Sequence, residues 1–256
     1  MKRNTNMTFP LRGIVMFHTG RCGSLLLATM LKQHPKVHWA HEVFRPDLLE
    51  EKYETYSCFS PFELLHSMMA AHFESDNGDE YFGFEIQLPQ LDPLGLTVQA
   101  VLDHLEMLNT DHIIALKRKN HLHRIVSSSL GHLTSRWHLH IQQEPLLSRF
   151  ELDIENLTFR GITKPLLDHL QEERARFRTL EEISKGQEAL QLTYEDDILC
   201  DPRCGYRRTC EFVGLEPIDA TVRFRKTNPF KLSEVILNFD EVGRTLKDTE
   251  FEWMLY

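Results

Sequence analysis

Residues Gly13-Ile-Val-Met-Phe-His-Thr-Gly-Arg-Cys-Gly-Ser24 run directly into Leu25-Leu-Leu-Ala-Thr-Met-Leu31, and this stretch constrains the chain more than any other. The apolar run predicts a strand over Gly13 to Thr19, covered on both faces as in a parallel sheet. Gly20 and Gly23 bracket a turn that carries one arginine, Arg21, and a helix is expected from Ser24 to His34, stopped before Pro35. A strand feeding a helix through so short a turn aims unpaired N–H groups and the positive helix end at one point, which suits a phosphate. Thr19, Gly20, Arg21, Cys22, Gly23, Ser24 and Leu25 are the residues of this predicted anion cradle. It is not a Walker A loop, which needs Gly-Lys-Ser/Thr after a longer glycine-rich span.

The charge distribution extends the argument. The chain of 256 residues has a net charge of −9, which argues against a general nucleic-acid binder. Yet residues 1–41 contain no acid, and the first carboxylate is Glu42. A second acid-free window, His112 to Gln143, carries Lys117, Arg118, Lys119, Arg124 and Arg136 with six histidines. A third, Ala220 to Ser233, carries Arg223, Arg225, Lys226 and Lys231. An acidic protein that clears its acids from three separate windows is expected to fold them around one polyanionic ligand. The five cysteines do not make a disulfide scaffold, and Cys200, Cys204 and Cys210 lack the paired spacing of a zinc site. No metal site is expected. Neither a secretory segment nor a membrane-spanning run is indicated, and a cytoplasmic protein is expected.

Along the chain, residues 1–12 read as a poorly ordered lead-in and 13–256 as one domain. Further strands are expected at Val37 to Phe44, Tyr81 to Gln87, His112 to Leu116 and Ala189 to Thr193. Helices are expected at Pro61 to Phe73, Val98 to Leu108, from Asn120 onward, over 164–184, and from Asp201-Pro202 to Val213, ended by Gly214. Strands alternating with helices predict an α/β fold: a three-layer, P-loop-like arrangement with a central parallel sheet flanked by helices. Ligands in such sheets sit at the carboxyl ends of strands, where Thr19-Gly-Arg21 and Lys117-Arg-Lys119 fall.

Three further segments join the cradle: Leu116-Lys-Arg-Lys-Asn-His-Leu-His-Arg-Ile-Val-Ser127, Leu192-Thr-Tyr-Glu-Asp-Asp-Ile-Leu-Cys-Asp-Pro202, and Arg225-Lys-Thr-Asn-Pro229. With these in order, the sequence resembles the PAPS-dependent sulfotransferases, in particular the bacterial type related to trehalose and Nod-factor sulfotransferases. The resemblance covers roughly residues 13–241. It implies that Thr19 to Ser24 hold the 5′-phosphosulfate and that Arg118 and Ser127 hold the 3′-phosphate, with Lys119 as the alternative to Arg118. It also implies that Arg225 and Lys226 belong to a C-terminal basic loop; Tyr194 is expected either to pack near the nucleotide or to serve as a core residue at a strand end. The co-substrate implied is PAPS, without a metal, and the acceptor is a small-molecule, carbohydrate or lipid hydroxyl. Relatives commonly carry lysine in a Gly-Phe-Lys segment, whereas this chain has Gly83-Phe-Glu85.

Sulfuryl transfer parallels phosphoryl transfer, in which positioning and charge stabilisation dominate. Arg21 would neutralise charge on the leaving phosphate. The acceptor needs a base, and Glu42 in His41-Glu-Val-Phe44 is the first candidate, supported by a similar Glu-Val-Phe setting in the resembled family. His41 is the second. The competing reading makes Glu42 a structural partner of Arg21 or Arg45. His138 and His140 are expected either to line an acceptor pocket or to form a solvated helix end, and Asp196 and Asp197 to cap the next segment of chain. A nucleotide-dependent small-molecule kinase and a catalytically silent nucleotide-binding scaffold are the alternatives.

Overall fold

The computed structural model describes residues 12–256 apart from 76–77, 109, 111 and 187. Strand β1 (Arg12–His18) is the middle of a five-stranded sheet, and Ile14, Val15, Met16 and Phe17 are each fully buried. Burying a side chain of this kind contributes about 1.5–3 kcal/mol before conformational entropy is set against it. The chain continues through α1 (Ser24–Leu31), β2 (Val37–Glu42), α2 (Pro46–Tyr56), α3 (Pro61–Glu74), β3 (Tyr81–Gln87), α4 (Val98–Met107), β4 (His112–Lys117) and α5 (His121–Thr134). After a short strand β5 (Leu139–His140), a hairpin of β6 (Leu157–Phe159) and β7 (Ile162–Lys164) precedes the long α6 (Leu166–Gly186). Then come β8 (Ala189–Thr193), one wide turn at Tyr194–Ile198, α7 (Pro202–Val213), β9 (Phe224–Arg225), α8 (Leu232–Val235) and α9 (Phe239–Leu246).

The sheet order is β2-β3-β1-β4-β8 and every pairing is parallel. Chain order and spatial order part company at β1: α1 carries the chain outward to β2 on one side, and α4 carries it to β4 on the other. The carboxyl ends of β1 and β4 therefore flank a crevice, the usual place for a ligand in an open α/β sheet. Alternate residues of β1 enter different layers. Ile14 and Met16 pack with Leu27, Leu31, Tyr206 and Val213 of α1 and α7. Val15 and Phe17 pack with Leu65, Met69, Val101, Leu105 and Leu180 of α3, α4 and α6. A third cluster joins α5 to the C-terminal helices through Ile125, Val126, Val235 and Leu246.

Local chemistry places the helix starts. Thr97 caps α4 by accepting from Ala100 N, Asn120 caps α5 by accepting from His123 N, and Asp201 caps α7 by accepting from Arg203 N. The β6–β7 hairpin turns on Arg160-Gly161, both with positive φ (54° and 77°), a two-residue turn matched to strand twist.

Several expectations need correction. The lead-in expected at 1–12 lies outside the described residues except for Arg12, which is the first residue of β1. Helix α1 ends at Leu31 rather than His34, because residues 32–36 already turn toward β2. Helix α2 and the C-terminal helices α8 and α9 were not anticipated. Asp196 and Asp197 do not cap the next segment: their carboxylates accept from the Thr193 hydroxyl and the Thr193 N–H, which closes the wide turn back onto β8. Asp201 supplies the α7 cap. All five cysteines are free, and Cys22, Cys58 and Cys210 are buried. Among the described residues, no helix is long and apolar enough to cross a membrane.

Candidate functional site

Two carbonyls of the loop after β1 face protein. Thr19 O accepts from Arg124 and Arg160, and Arg21 O accepts from Arg118 Nη1 at 2.9 Å. Gly20 N donates back to His18 Nδ1 at 3.0 Å. Helix α1 then begins at Gly23 with no side-chain cap and no acid in its first turn. The Cys22 sulfur takes the Ser24 N–H, and the helix dipole faces the cavity without an acidic side chain to offset it. Gly23 has φ 85°, and a Cβ there would stand 2.7 Å from Ile198 Cγ2. The Gly20 position (φ 76°) would place a Cβ 2.4 Å from Gln87 Nε2. Gly23 is therefore required for conformation and for space, and Gly20 for conformation, since the Gln87 amide it would meet is the end of a flexible side chain.

A cavity of about 950 Å³ opens above this loop. Its walls bring the three acid-free windows together: Gly20, Arg21 and Ser24 from the first, Arg118, His123 and Ser127 from the second, Arg225, Lys226 and Thr227 from the third. Arg21 links all three directly. Its Nε and Nη2 donate to Ser127 Oγ at 3.0 and 2.8 Å, its Nη1 donates to Trp137 O at 2.7 Å, and its Nη2 reaches Thr227 Oγ1 at 3.5 Å. Arg118 lies 4.3 Å over the Tyr194 ring and is 7% exposed, and its Nε is buried without a partner.

These cations depress one another. Burial and the neighbouring Arg118 pull Arg21 down to about 10, and the same two causes lower Lys226. Burial, then Arg118 and Lys226, hold His123 at about 4, so its ring is neutral at pH 7. Among the described residues, none of Arg21, Arg118 and Lys226 makes an ion pair with a carboxylate. A protein that leaves buried guanidinium groups unpaired carries a standing electrostatic cost, and an anionic ligand relieves it.

Most predicted site residues meet here. Gly20, Arg21, Gly23, Ser24, Leu25, His41, Glu42, Arg118, Ser127, Tyr194, Arg225 and Lys226 all line the cavity. Two do not. The Thr19 side chain is buried, and the fully buried Cys22 belongs to the core cluster beneath the loop. Cys22 bonds His18, and although burial raises its pKa, that contact lowers it overall. Both remain loop residues, but their side chains are structural. Of Arg118 and Lys119, Arg118 lines the cavity, whereas Lys119 Nζ points outward to Asp196 Oδ2 at 2.6 Å. His138 lines the cavity, whereas His140 pairs in β5 with Phe224. Arg225 is also held by Gln143 O at 3.1 Å.

At the opposite end, β2 carries a register shift against β3 between Trp39 and Glu42, and His41 sits at φ 56°. Such strain in a non-glycine residue persists where packing over-determines it. The irregularity lets the adjacent residues His41 and Glu42 both line the cavity, where a regular strand would send one away. Glu42 pairs with neither Arg21 nor Arg45. Its Oε2 accepts from Gln90 Nε2 at 2.6 Å, and Arg45 instead binds Asp47. Beneath them lies Glu85, 2% exposed. It accepts from Trp39 Nε1 at 3.1 Å, faces His18 Nε2 at 3.3 Å and faces His41 Nδ1 at 3.4 Å. Burial raises this carboxylate, but donation from His18, His41 and Trp39 holds it well below the usual range.

Sequence reading missed Glu85 as a site residue, although a carboxylate inside the apolar strand Tyr-Phe-Gly-Phe-Glu-Ile-Gln is a signal in itself. Arg160 was missed as well. Its only local mark is the Arg-Gly hairpin turn, and its arrival at Thr19 O depends on the fold. Neither protein-family models nor curated proteins give a match to this chain.

Proposed function

We propose that this protein is a PAPS-dependent sulfotransferase that transfers a sulfuryl group to an acceptor hydroxyl. The observation that carries the reading is the cation set above an uncapped helix start, in which buried Arg118 lies beside the part-buried Arg21 and Lys226 and depresses both. A nucleotide with separate 5′ and 3′ anionic groups supplies the two counter-charges this set calls for. The resemblance of the four segments to sulfotransferase motifs supports the same ligand. In this reading PAPS, when bound, supplies the activated sulfuryl group.

The roles of the chain's own groups follow from chemistry. The loop N–H groups around Gly23 and Ser24, with Arg21, hold the 5′ end and stabilise charge on the departing oxygen, as preorganised donors do. Arg118 and Ser127 hold the 3′-phosphate, with Arg225 and Lys226 beside them. The Ser127 oxygen already accepts from Arg21, which leaves its hydroxyl proton to donate to the phosphate. At the acceptor end, Glu42 is the base, its carboxylate oriented by Gln90. His41, backed by Glu85, is the second group able to take the proton. The aromatic and histidine wall of Trp137, His138 and Phe224 receives the acceptor. The acceptor class is a small molecule, carbohydrate or lipid alcohol, and the setting proposed is cytoplasmic.

Calorimetric titration with PAP, 5′-AMP and ATP tests the reading, followed by turnover of labelled PAPS over an alcohol panel. Each charge-assisted contact to the 3′-phosphate contributes about 1.5–3 kcal/mol, so PAP should bind well over tenfold tighter than 5′-AMP. Equal affinities for PAP and 5′-AMP would refute the proposal, and a preference for ATP would favour a kinase.

A further inference from the structure

A second group of chemically competent side chains lies outside the cavity. His38 of β2, His72 of α3 and Asp79, in the turn leading to β3, place one donor atom each within 4.8 Å of one another. The His72 Nε2 to Asp79 Oδ2 distance is 2.9 Å, and the His72 and Asp79 side chains are only 8% and 16% exposed. The His38 and His72 rings lie 3.9 Å apart, centroid to centroid, and both pack against Phe82, at 5.2 and 5.6 Å. A simple His–Asp pair accounts for two of these residues. It leaves His38 turned toward the same carboxylate with no hydrogen bond among the described residues.

We propose that His38, His72 and Asp79 form a binding site for one divalent transition-metal ion of the zinc class. Two imidazole nitrogens and one carboxylate oxygen are ligands that zinc takes readily, with water in the fourth position. Calcium and magnesium ask for an oxygen shell and are not favoured by this set. Phe82 walls the site on its inner side, so the donors converge at the margin of the core rather than on a mobile surface. The three ligands belong to three elements, and β2 is an edge strand held by β3 alone. Bound metal would clip α3 and the β3 approach to that edge, four residues before Glu42 enters the cavity.

The other carboxylate–histidine group, His18, Glu42 and Glu85, is different in kind. His18 Nδ1 accepts from the Gly20 N–H, and its Nε2 faces Glu85 Oε2 at 3.3 Å in the cavity floor. That group belongs to the cavity and makes a useful control.

The test uses the full chain, free of any tag, treated with chelator, dialysed and titrated with zinc chloride by calorimetry, with metal content measured directly. One zinc per chain is expected at a Kd below about 10 µM. Saturating zinc should raise the thermal midpoint by about 5–10 °C, as expected for an ion that binds only the folded state. His38→Gln and His72→Gln should each weaken binding ~100-fold and abolish the thermal shift, with folding confirmed by circular dichroism. Glu42→Gln should bind zinc as the parent does. Histidine-ring NMR of the parent protein gives an independent readout, in which zinc should move the His38 and His72 signals first. Zinc binding that both histidine variants retain, binding lost in Glu42→Gln, or no binding below about 0.1 mM would each overturn the site. None of these outcomes depends on sulfuryl transfer.

Discussion

Two buried carboxylates near the loop after β1 are held in contrasting ways. Glu173, on α6, is fully buried and surrounded by permanent charge: Arg124, Arg160 and Arg176 all bond it. Burial raises its pKa, but the three guanidinium groups together hold it at about 2. Glu85 is buried to a similar degree, yet its donors are two imidazoles and an indole. Guanidinium groups donate through a rigid planar fork that matches a carboxylate, whereas an imidazole offers a single N–H per ring nitrogen. The first arrangement serves as a structural pin: Arg124 and Arg160 each spend one bond on Glu173 and one on Thr19 O, fixing the cradle. The second forms a buried floor of the cavity beneath half-exposed His41.

The largest expected effect concerns the cavity floor and the residues above it. Glu42→Gln keeps shape and hydrogen bonding but removes basicity, so turnover with an alcohol acceptor should fall by ~10²–10⁴ while PAP affinity persists. If instead His41→Gln produces that fall and Glu42→Gln does not, the base is His41, and Glu85 is its positioning residue. A collapse of PAP binding in Glu42→Gln would show that the carboxylate shapes the nucleotide site.

Next in size is the structural pin. Glu173→Ala leaves three guanidinium groups without their shared partner, and breaking such a buried pair costs about 3–5 kcal/mol in urea unfolding. Glu85→Gln, which retains an acceptor for Trp39 and His41, should cost less. Equal losses would erase the distinction between the two sites.

The pH dependence comes from the same residue. Because Glu173 sits at about 2 in the folded protein against about 4.3 when unfolded, its stabilisation is present above pH 4–5 and is lost as pH falls toward 2. Acid-unfolding curves should therefore be shallower for Glu173→Gln than for the parent over that interval. Parallel curves would mean that the pin contributes no linkage.

The cradle gives a smaller, more local effect. Arg118→Ala should weaken PAP more than tenfold and 5′-AMP by much less. Lys119→Ala, whose ammonium faces exposed Asp196, should change neither ligand by more than about twofold. Reversal of this pair would return the 3′-phosphate to Lys119.

Much of the frame was legible because it obeys short-range rules. Tyr81–Gln87 and Ala189–Thr193 match their expected bounds, and α7 starts at Pro202 and stops at Gly214. Periodicity, capping and proline or glycine chemistry act within a few residues, so sequence alone carries them. The three acid-free windows were legible too, since charge segregation needs no coordinates to be seen. Helix α2 was harder to read: its partners Leu64 and Cys58 belong to a small outlying cluster, and its own sequence is mostly polar.

What only tertiary structure decided is which side chains meet. The Arg21–Ser127 bond spans 106 positions and Arg160 reaches Thr19 O across 141. Glu85 turned from a departure in a motif into the floor of the cavity because parallel pairing of β1 and β3 sets it beside Met16, two positions before His18. The order of elements and the glycine-bracketed turn ahead of α1 are properties of local sequence. The pairing of charges is set by strand order and register, which bring distant residues within hydrogen-bond reach in a low-dielectric interior where a misplaced charge is costly.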